Sequence, residues 1–181
     1  MTSKMYRQTS KVMTVLGIDP GTTRLGYAVI EGSRNAPRLV TSGIIGNSKA
    51  EHLERLGLIY NELTALIAAH PLDLVAVEKL YFSKNVRTAL VVAEARGIIL
   101  LTAHRADIKV YECTPQQVKI ALTGNGRATK TQVAHMLNAS LKFEKRPRLD
   151  DETDAIAIAL TALVSYTHAE ARDYTKSKRS S

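Results

Sequence analysis

Two short apolar segments of this 181-residue chain each end in a carboxylate, and that placement strongly restricts the fold. The run 12–18 leads into Asp19 and a Pro-Gly turn, and the run 74–77 leads into Glu78. Apolar runs of this length that stop at a turn are typical of buried strands. An ionised carboxylate beside a buried strand is unfavourable unless something neutralises it, and a metal ion is a common compensation. Asp19 could instead simply begin the turn, whereas turns do not favour Glu.

The other segments predict one α/β domain with a mixed five-stranded sheet flanked by helices. Three strands with short connections are typical of an antiparallel meander, and two more strands alternate with helices further along. The predicted strands are 12–18, 25–31, 39–45, 74–77 and 108–111, and the predicted helices are 51–69, 87–104, a helix beginning at Pro115, 130–141 and 151–167. No linker divides the chain, so we predict a domain over 12–168 with basic tails at 1–11 and 169–181.

The predicted helix 87–104 is apolar on nearly every face. A helix of that kind is usually buried rather than exposed on one side. We therefore expect it to lie in the protein interior, with part of its surface in a subunit interface.

The last predicted helix begins with an acidic segment, Asp150-Asp151-Glu152-Thr153-Asp154. Asp151 and Asp154 lie three residues apart and project from one face of a helix. Acidic residues in a first turn also complement the helix dipole, and that explanation is sufficient for Asp150 and Glu152. It fits Asp154 less well, because the apolar run 155–160 follows at once and draws Asp154 toward the core.

Four carboxylates are thus candidates for one site, at Asp19, Glu78, Asp151 and Asp154. A set of carboxylates without a cluster of Cys or His indicates a hard cation rather than zinc. The expected ion is Mg²⁺, which Mn²⁺ could replace. Two such ions about 3.5–4 Å apart can activate a water molecule and stabilise the leaving oxygen of a phosphodiester. We therefore expect a Mg²⁺ site of two ions.

The charge of the chain favours a polyanionic partner. It carries 25 Lys and Arg against 17 Asp and Glu, a net charge of +8. Basic proteins attract nucleic acid because neutralised phosphates release counterions, although basic tails could also serve solubility alone. An acidic metal site in a basic protein is what a nuclease requires.

Several classes of protein are disfavoured. The single cysteine, Cys113, leaves no internal disulfide framework. No apolar run approaches the roughly 20 residues of a membrane span, and no signal-peptide apolar region follows the N-terminus. We expect a cytoplasmic protein that does not enter membranes.

Five segments occur in an order and at spacings that resemble the RuvC family of Holliday junction resolvases: LGIDPGTTRLGYAVIE, VAVEKLYFSKN, AEARGI, TPQQVKIALTGNGRATKTQV and DDETDAIAIAL. The resemblance implies a ribonuclease H-like fold and a homodimer that nicks four-way DNA junctions in pairs, in recombination and repair. It implies that the metal ligands are Asp19, Glu78, Asp151 and Asp154. It also adds RuvA and RuvB relatives as candidate partners.

The same resemblance implies further functional residues. Lys119 and Lys130 correspond to functional lysines, which could hold the scissile phosphate, although either could be an ordinary surface lysine. Tyr81 stands where family members often carry Phe.

An aromatic ring at Tyr81 could stack on a base left unpaired at the junction centre, or could pack in the core. Lys84, Asn85 and Arg87 follow it and are expected to contact the DNA backbone.

Three other interpretations stay open from the residues alone. The Gly-Ile-Asp-Pro-Gly-Thr-Thr segment also resembles the start of actin-like ATPases, but those folds need two such domains. A ribonuclease H-like nuclease acting on RNA or RNA–DNA hybrids would use the same carboxylates. A junction-binding protein without catalysis is disfavoured because all four carboxylates are present.

Overall fold

The computed structural model describes residues 12–21, 23–46, 49–79, 86–141 and 146–166, without the side chains of 86–88. Its strands are β1 (Met13–Pro20), β2 (Leu25–Ser33), β3 (Ala36–Ile45), β4 (Leu74–Glu78) and β5 (Lys109–Cys113). They form one sheet in the order β3-β2-β1-β4-β5. The predicted tails, 1–11 and 169–181, lie outside the described residues, so the domain limits stay a prediction.

The sheet is mixed, as the sequence predicted. β1, β2 and β3 form an antiparallel meander, whereas β4 runs parallel to β1 and β5 parallel to β4. The prediction that the first strand stops before Asp19 is wrong, because Asp19 pairs with Gly26 and Pro20 pairs with Leu25. Asp19 is therefore held by strand pairing rather than by a turn.

In the residues that the structure describes, five helices cover the two faces of the sheet: α1 (His52–Ala69), α2 (Val86–Arg105), α3 (Pro115–Thr123), α4 (Lys130–Ser140) and α5 (Asp150–Ser165). The core divides accordingly into two clusters. One cluster joins the sheet to α3, α4 and α5, and the other joins it to α1 and α2. In the described part of the chain, no helix has the length and apolar character needed to cross a bilayer.

Helix α2 is only partly buried in the single chain. Ala95, Ile99 and Ala103 pack in the core, as expected for an apolar helix. Leu90 and Leu101, in contrast, are 58% and 54% exposed. Two leucines on one side of α2 therefore stay in contact with solvent, with Glu94 and Gly97 exposed between them.

Alternation along β1 decides which residues meet α5. Val15 belongs to the α5 side of the core, whereas Leu16 and Ile18 belong to the α1–α2 side. Because successive side chains of a strand point to opposite faces, Gly17 and Asp19 share the α5 face with Val15. At Gly17 the helix lies directly on the strand: a Cβ there would overlap the Ala155 carbonyl oxygen and lie 2.5 Å from the Ala159 nitrogen.

We expect Gly17→Ala to lower the free energy of unfolding by about 1–3 kcal/mol, because the added methyl group forces α5 away from the sheet. Urea denaturation followed by circular dichroism measures this change. Gly57→Ala is the matched control, since Gly57 lies in α1 with no atom within 4 Å of an added Cβ. That control should stabilise the protein by about 0.5–1 kcal/mol through helix propensity. Equal effects of the two substitutions would contradict the close packing of α5.

Candidate active site

Asp19 and Glu78 lie at the C-terminal ends of neighbouring parallel strands. The register pairs Ile18 of β1 with Val77 of β4, so the next residue on each strand is one of the two carboxylates. Leu74 and Ala76 face the α5 side of the sheet, and alternation puts Glu78 on that side as well. The sequence thus correctly predicted two neighbouring strands that each deliver a carboxylate to one edge.

Helix α5 contributes the other two carboxylates. Asp151 and Asp154 stand three residues apart in its first turns, on one face of the helix. Gly26, the pairing partner of Asp19, lies so close to α5 that a Cβ would overlap the Asp151 carbonyl oxygen. The start of α5 therefore lies directly over the strand end that carries Asp19.

The negative charges of these carboxylates act on one another. The pKa of Asp19 is raised to about 7, first by burial and then by the negative charges of Asp154, Glu78 and Asp151. The pKa of Glu78 is also raised, mainly by burial and next by Asp154. Ionising a carboxylate with a raised pKa costs free energy at neutral pH. A nearby cation would offset that cost.

Two basic side chains already neutralise part of this charge. The Lys130 ammonium lies 3.3 Å from Asp154 and 3.7 Å from Asp150, and the charge of Asp154 raises the pKa of Lys130. Lys130 is the first residue of α4, where the Thr129–Gln132 capping box fixes the start of the helix. Sequence reasoning predicted Lys130 by resemblance.

Arg24, which sequence reasoning missed, lies 3.1 Å from Asp151. Its signal was its place in the turn after Asp19, in the segment Gly-Thr-Thr-Arg.

The donor set fits a hard divalent cation. Its potential ligands are carboxylate oxygens, and the charges that raise the pKa of Asp19 are those a cation would offset. Among the described residues, no three Asp, Glu, His or Cys side chains are grouped closely enough to hold one ion as they stand. Arg24 and Lys130 instead pair with two of the carboxylates, so binding of an ion requires those side chains to rearrange.

Of the remaining predicted site residues, the structure describes the side chain of Lys119 but not those of the predicted DNA contacts. Lys119 lies on α3, which packs against α5, but no ion pair joins Lys119 to the four carboxylates. Arg87 is the second residue of α2, and its side chain lies outside the described part. The predicted DNA contacts Tyr81, Lys84 and Asn85 also lie outside the described residues.

Two further features correct or complete the sequence interpretation. Glu152, assigned only to the helix dipole, is buried and pairs with Arg146 and Arg148, so that assignment is insufficient. Cys113, the register partner of Glu78, is fully buried, and burial raises the pKa of its thiol to about 12. The thiol therefore stays protonated at neutral pH, as expected of a packing residue.

An antiparallel meander extended by parallel strands, with carboxylates on its central strands and on the last helix, defines a ribonuclease H-like nuclease fold. Residues 15–162 match the family described as "Crossover junction endodeoxyribonuclease RuvC". The RuvC of Halothermothrix orenii is 45% identical over 155 residues, which cover 85% of this chain and 94% of that protein. The RuvC of Petrotoga mobilis is 49% identical over 148 residues, covering 81% and 91%.

A solved structure, T. thermophilus RuvC in complex with Holliday junction substrate, matches with a TM-score of 0.82 at 34% identity. The match covers 88% of this chain and 98% of that one. The chain therefore belongs to the RuvC family of crossover junction endodeoxyribonucleases. The predicted family, fold and enzyme class are confirmed, and the actin-like and RNA-directed alternatives are not favoured.

The raised pKa of Asp19 predicts how stability depends on pH without metal ions. The folded protein binds the Asp19 proton more tightly than the unfolded chain does, so its stability falls as the pH rises toward the folded-state pKa of about 7. The Asp19→Asn variant lacks this pH-dependent contribution to the free energy of unfolding. In EDTA we expect its stability advantage over the wild type to grow between about pH 5 and pH 8, by up to about 3 kcal/mol.

Urea denaturation of both proteins at several pH values measures this difference. A difference that does not change with pH would contradict the raised pKa of Asp19. Added Mn²⁺ at about pH 8 should stabilise the wild type more than Asp19→Asn.

Proposed function

We propose that this chain resolves Holliday junctions by paired, symmetric nicks, hydrolysing phosphodiester bonds with divalent metal ions in recombination and DNA repair. The observation that carries the proposal is the meeting of Asp19, Glu78, Asp151 and Asp154 at one end of the sheet, in a member of this family. The T. thermophilus relative, whose structure contains a Holliday junction substrate, supports junction DNA as the partner.

The four carboxylates would hold two Mg²⁺ ions, with Mn²⁺ able to replace them. When bound, such ions supply an activated water molecule and stabilise the charge that develops on the leaving oxygen. Asp19 is the central ligand in this proposal, because it lies among the other three and its pKa responds to all of them. Bound cations would attract the four carboxylates and so offset the repulsion among them.

The basic residues act on the substrate. Lys130, 75% exposed at its side chain and 3.3 Å from Asp154, can exchange that carboxylate for a phosphate oxygen once cations occupy the site. There its ammonium group would orient the scissile phosphate and offset its growing charge. Lys119 would also help to hold the scissile phosphate. Hydrolysis breaks the bond to the 3′ oxygen and leaves a 5′-phosphate and a ligatable end.

The DNA contacts beyond the scissile phosphate follow from charge and from one aromatic residue. Lys84, Asn85 and Arg87 would bind the backbone, and Tyr81 would stack on a base at the junction centre, worth about 1–3 kcal/mol. The overall charge of +8 supports binding that weakens with salt.

A homodimer would bring two active sites to two of the four strands of a junction. The two exposed leucines of α2, Leu90 and Leu101, support this assembly. A two-fold interface uses the same patch on both copies, which suits a nuclease that makes symmetric nicks. We further propose that the protein acts in the cytoplasm and cooperates with RuvA and RuvB branch-migration proteins.

Cleavage of a synthetic four-way junction tests the metal site. We expect Asp19→Asn to lower the rate with Mg²⁺ or Mn²⁺ at least about a hundredfold, because ions at such sites contribute several kcal/mol to the transition state. Junction binding measured in Ca²⁺ should stay within about threefold, since it rests on basic residues. Full activity of this variant would overturn the assignment of Asp19.

Glu31→Gln is the control for that experiment. Glu31 pairs with Thr14 near the opposite end of β1 and with Arg38, and its loss should leave cleavage unchanged. An RNA–DNA hybrid of the same length is the control substrate. Faster cleavage of the hybrid than of the junction would favour the ribonuclease alternative.

Leu101→Asp tests the dimer. A leucine buried in a two-fold interface occurs twice and contributes about 1.5–3 kcal/mol each time, so a charge there should produce monomers at micromolar concentration. Sedimentation velocity measures the change. Val12→Asp is the matched control, because Val12 is 62% exposed and directly precedes β1, outside α2. A monomeric wild type, or a dimeric Leu101→Asp variant, would contradict the proposed interface.

A further inference from the structure

Glu152 is a charged residue that lies buried beside the active site. It stands between Asp151 and Asp154 in the first turns of α5, yet it is only 3% exposed. Successive residues of a helix are rotated by about 100°, so its side chain points away from the face that carries those two carboxylates. It points toward β3, the edge strand of the sheet.

The carboxylate of Glu152 is held from three directions. The Ser42 hydroxyl of β3 donates to it at 2.6 Å, both terminal nitrogens of Arg146 donate to it, and Arg148 lies 3.4 Å away. Arg146 also donates to the Ser42 carbonyl at 3.4 Å. These four residues, Ser42, Arg146, Arg148 and Glu152, are called the Glu152 network below. The network joins three elements: the edge strand, the segment that leads into α5, and α5 itself.

The start of α5 lacks the local device that fixes the neighbouring helices. α3 and α4 begin with capping boxes at Thr114 and Thr129, whereas Leu149 at the start of α5 makes no side-chain cap. Gly26 determines how closely this turn approaches the sheet. Further along the helix, residues 155–163 are buried in the core. In the first turns, where the site carboxylates stand, the Glu152 network adds hydrogen bonds that restrict rotation.

Stability alone does not account for such a network. Buried ion pairs are often no more stabilising than apolar side chains of similar size, because both charges lose their hydration. Their advantage is directional, since a carboxylate that accepts hydrogen bonds from a guanidinium group and a hydroxyl has one favourable position. Directional precision at this point bears on Asp151 and Asp154, which occupy the same two turns.

We propose that Glu152 is a positioning residue, which fixes the rotation of α5 so that Asp151 and Asp154 face Asp19 and Glu78. It acts through Ser42, Arg146 and Arg148 and does not contact the substrate. The inference deepens the proposed function and rests on it for the role of the four carboxylates.

The test compares Glu152→Ala and Glu152→Gln with the wild type in two measurements. Calorimetric titration of the full-length protein with Mn²⁺, without DNA, measures metal affinity. Single-turnover and steady-state cleavage of a junction separate kcat from KM. We expect Glu152→Ala to weaken Mn²⁺ binding about tenfold and to lower kcat about tenfold, as supporting residues of metal ligands do. KM for the junction should change less than about twofold, and Glu152→Gln should be intermediate.

Leu63→Ala separates positioning from general destabilisation. Leu63 is 1% exposed on the α1–α2 side of the sheet, and its truncation should destabilise the fold without touching α5. We expect its Mn²⁺ affinity and kcat to equal those of the wild type at a temperature where both are folded. Ser42→Ala removes one contact of the network from the opposite element, and should give the Glu152 pattern at smaller amplitude even if Glu152→Ala fails to fold.

Wild-type Mn²⁺ affinity and kcat in both Glu152→Gln and Ser42→Ala would overturn the inference, as would equal losses in Leu63→Ala. Failure of the proposed function has a different signature: the wild type itself would not cleave junctions. The Mn²⁺ titration still decides the role of Glu152 in that case, because it needs no substrate.

Discussion

Helix α5 lies directly on the backbone of β1 and β2, because Gly17 and Gly26 put no side chain between the strands and the helix. This contact brings a helix that carries two carboxylates over a strand end that carries a third. A methyl group at either glycine would overlap the helix backbone. The layering of the domain and the existence of the carboxylate cluster therefore depend on the same close packing, which links stability to the site.

The cluster gathers negative charge where a folded protein would normally avoid it. Burial and mutual repulsion raise the pKa of Asp19 to about 7, and Arg24 and Lys130 pair with the two carboxylates of α5. Such a site lowers the stability of the metal-free protein, a cost that functional sites commonly carry. The same repulsion gives a divalent cation its binding energy, and the exposed Lys130 can then turn to a phosphate.

Much of this site could be predicted from local patterns. Apolar runs that end in Asp19 and Glu78 indicate two strands with carboxylates at one edge, and three-residue spacing puts Asp151 and Asp154 on one helix face. Arg24 and Glu152 were missed, because their roles depend on partners distant in sequence: Ser42 and Glu152 are separated by 110 residues. The end of β1 was misplaced since its pairing with β2 continues through a Pro-Gly segment that normally breaks strands.

The order of the strands and helices, the chemical class of the site and the family all follow from the sequence by itself, because periodicity, turn residues and motif spacing are local properties of the chain. The sequence already singled out Asp151 and Asp154 from the acidic residues between 150 and 154, but only the tertiary structure decided that Glu152 is buried and which residues it contacts. Asp150 is exposed, Asp151 and Asp154 face the site, and Glu152 is buried toward β3. That choice is set by the rotation of α5 on the sheet, and rotation depends on packing and hydrogen bonds between distant segments rather than on the residues of the helix alone.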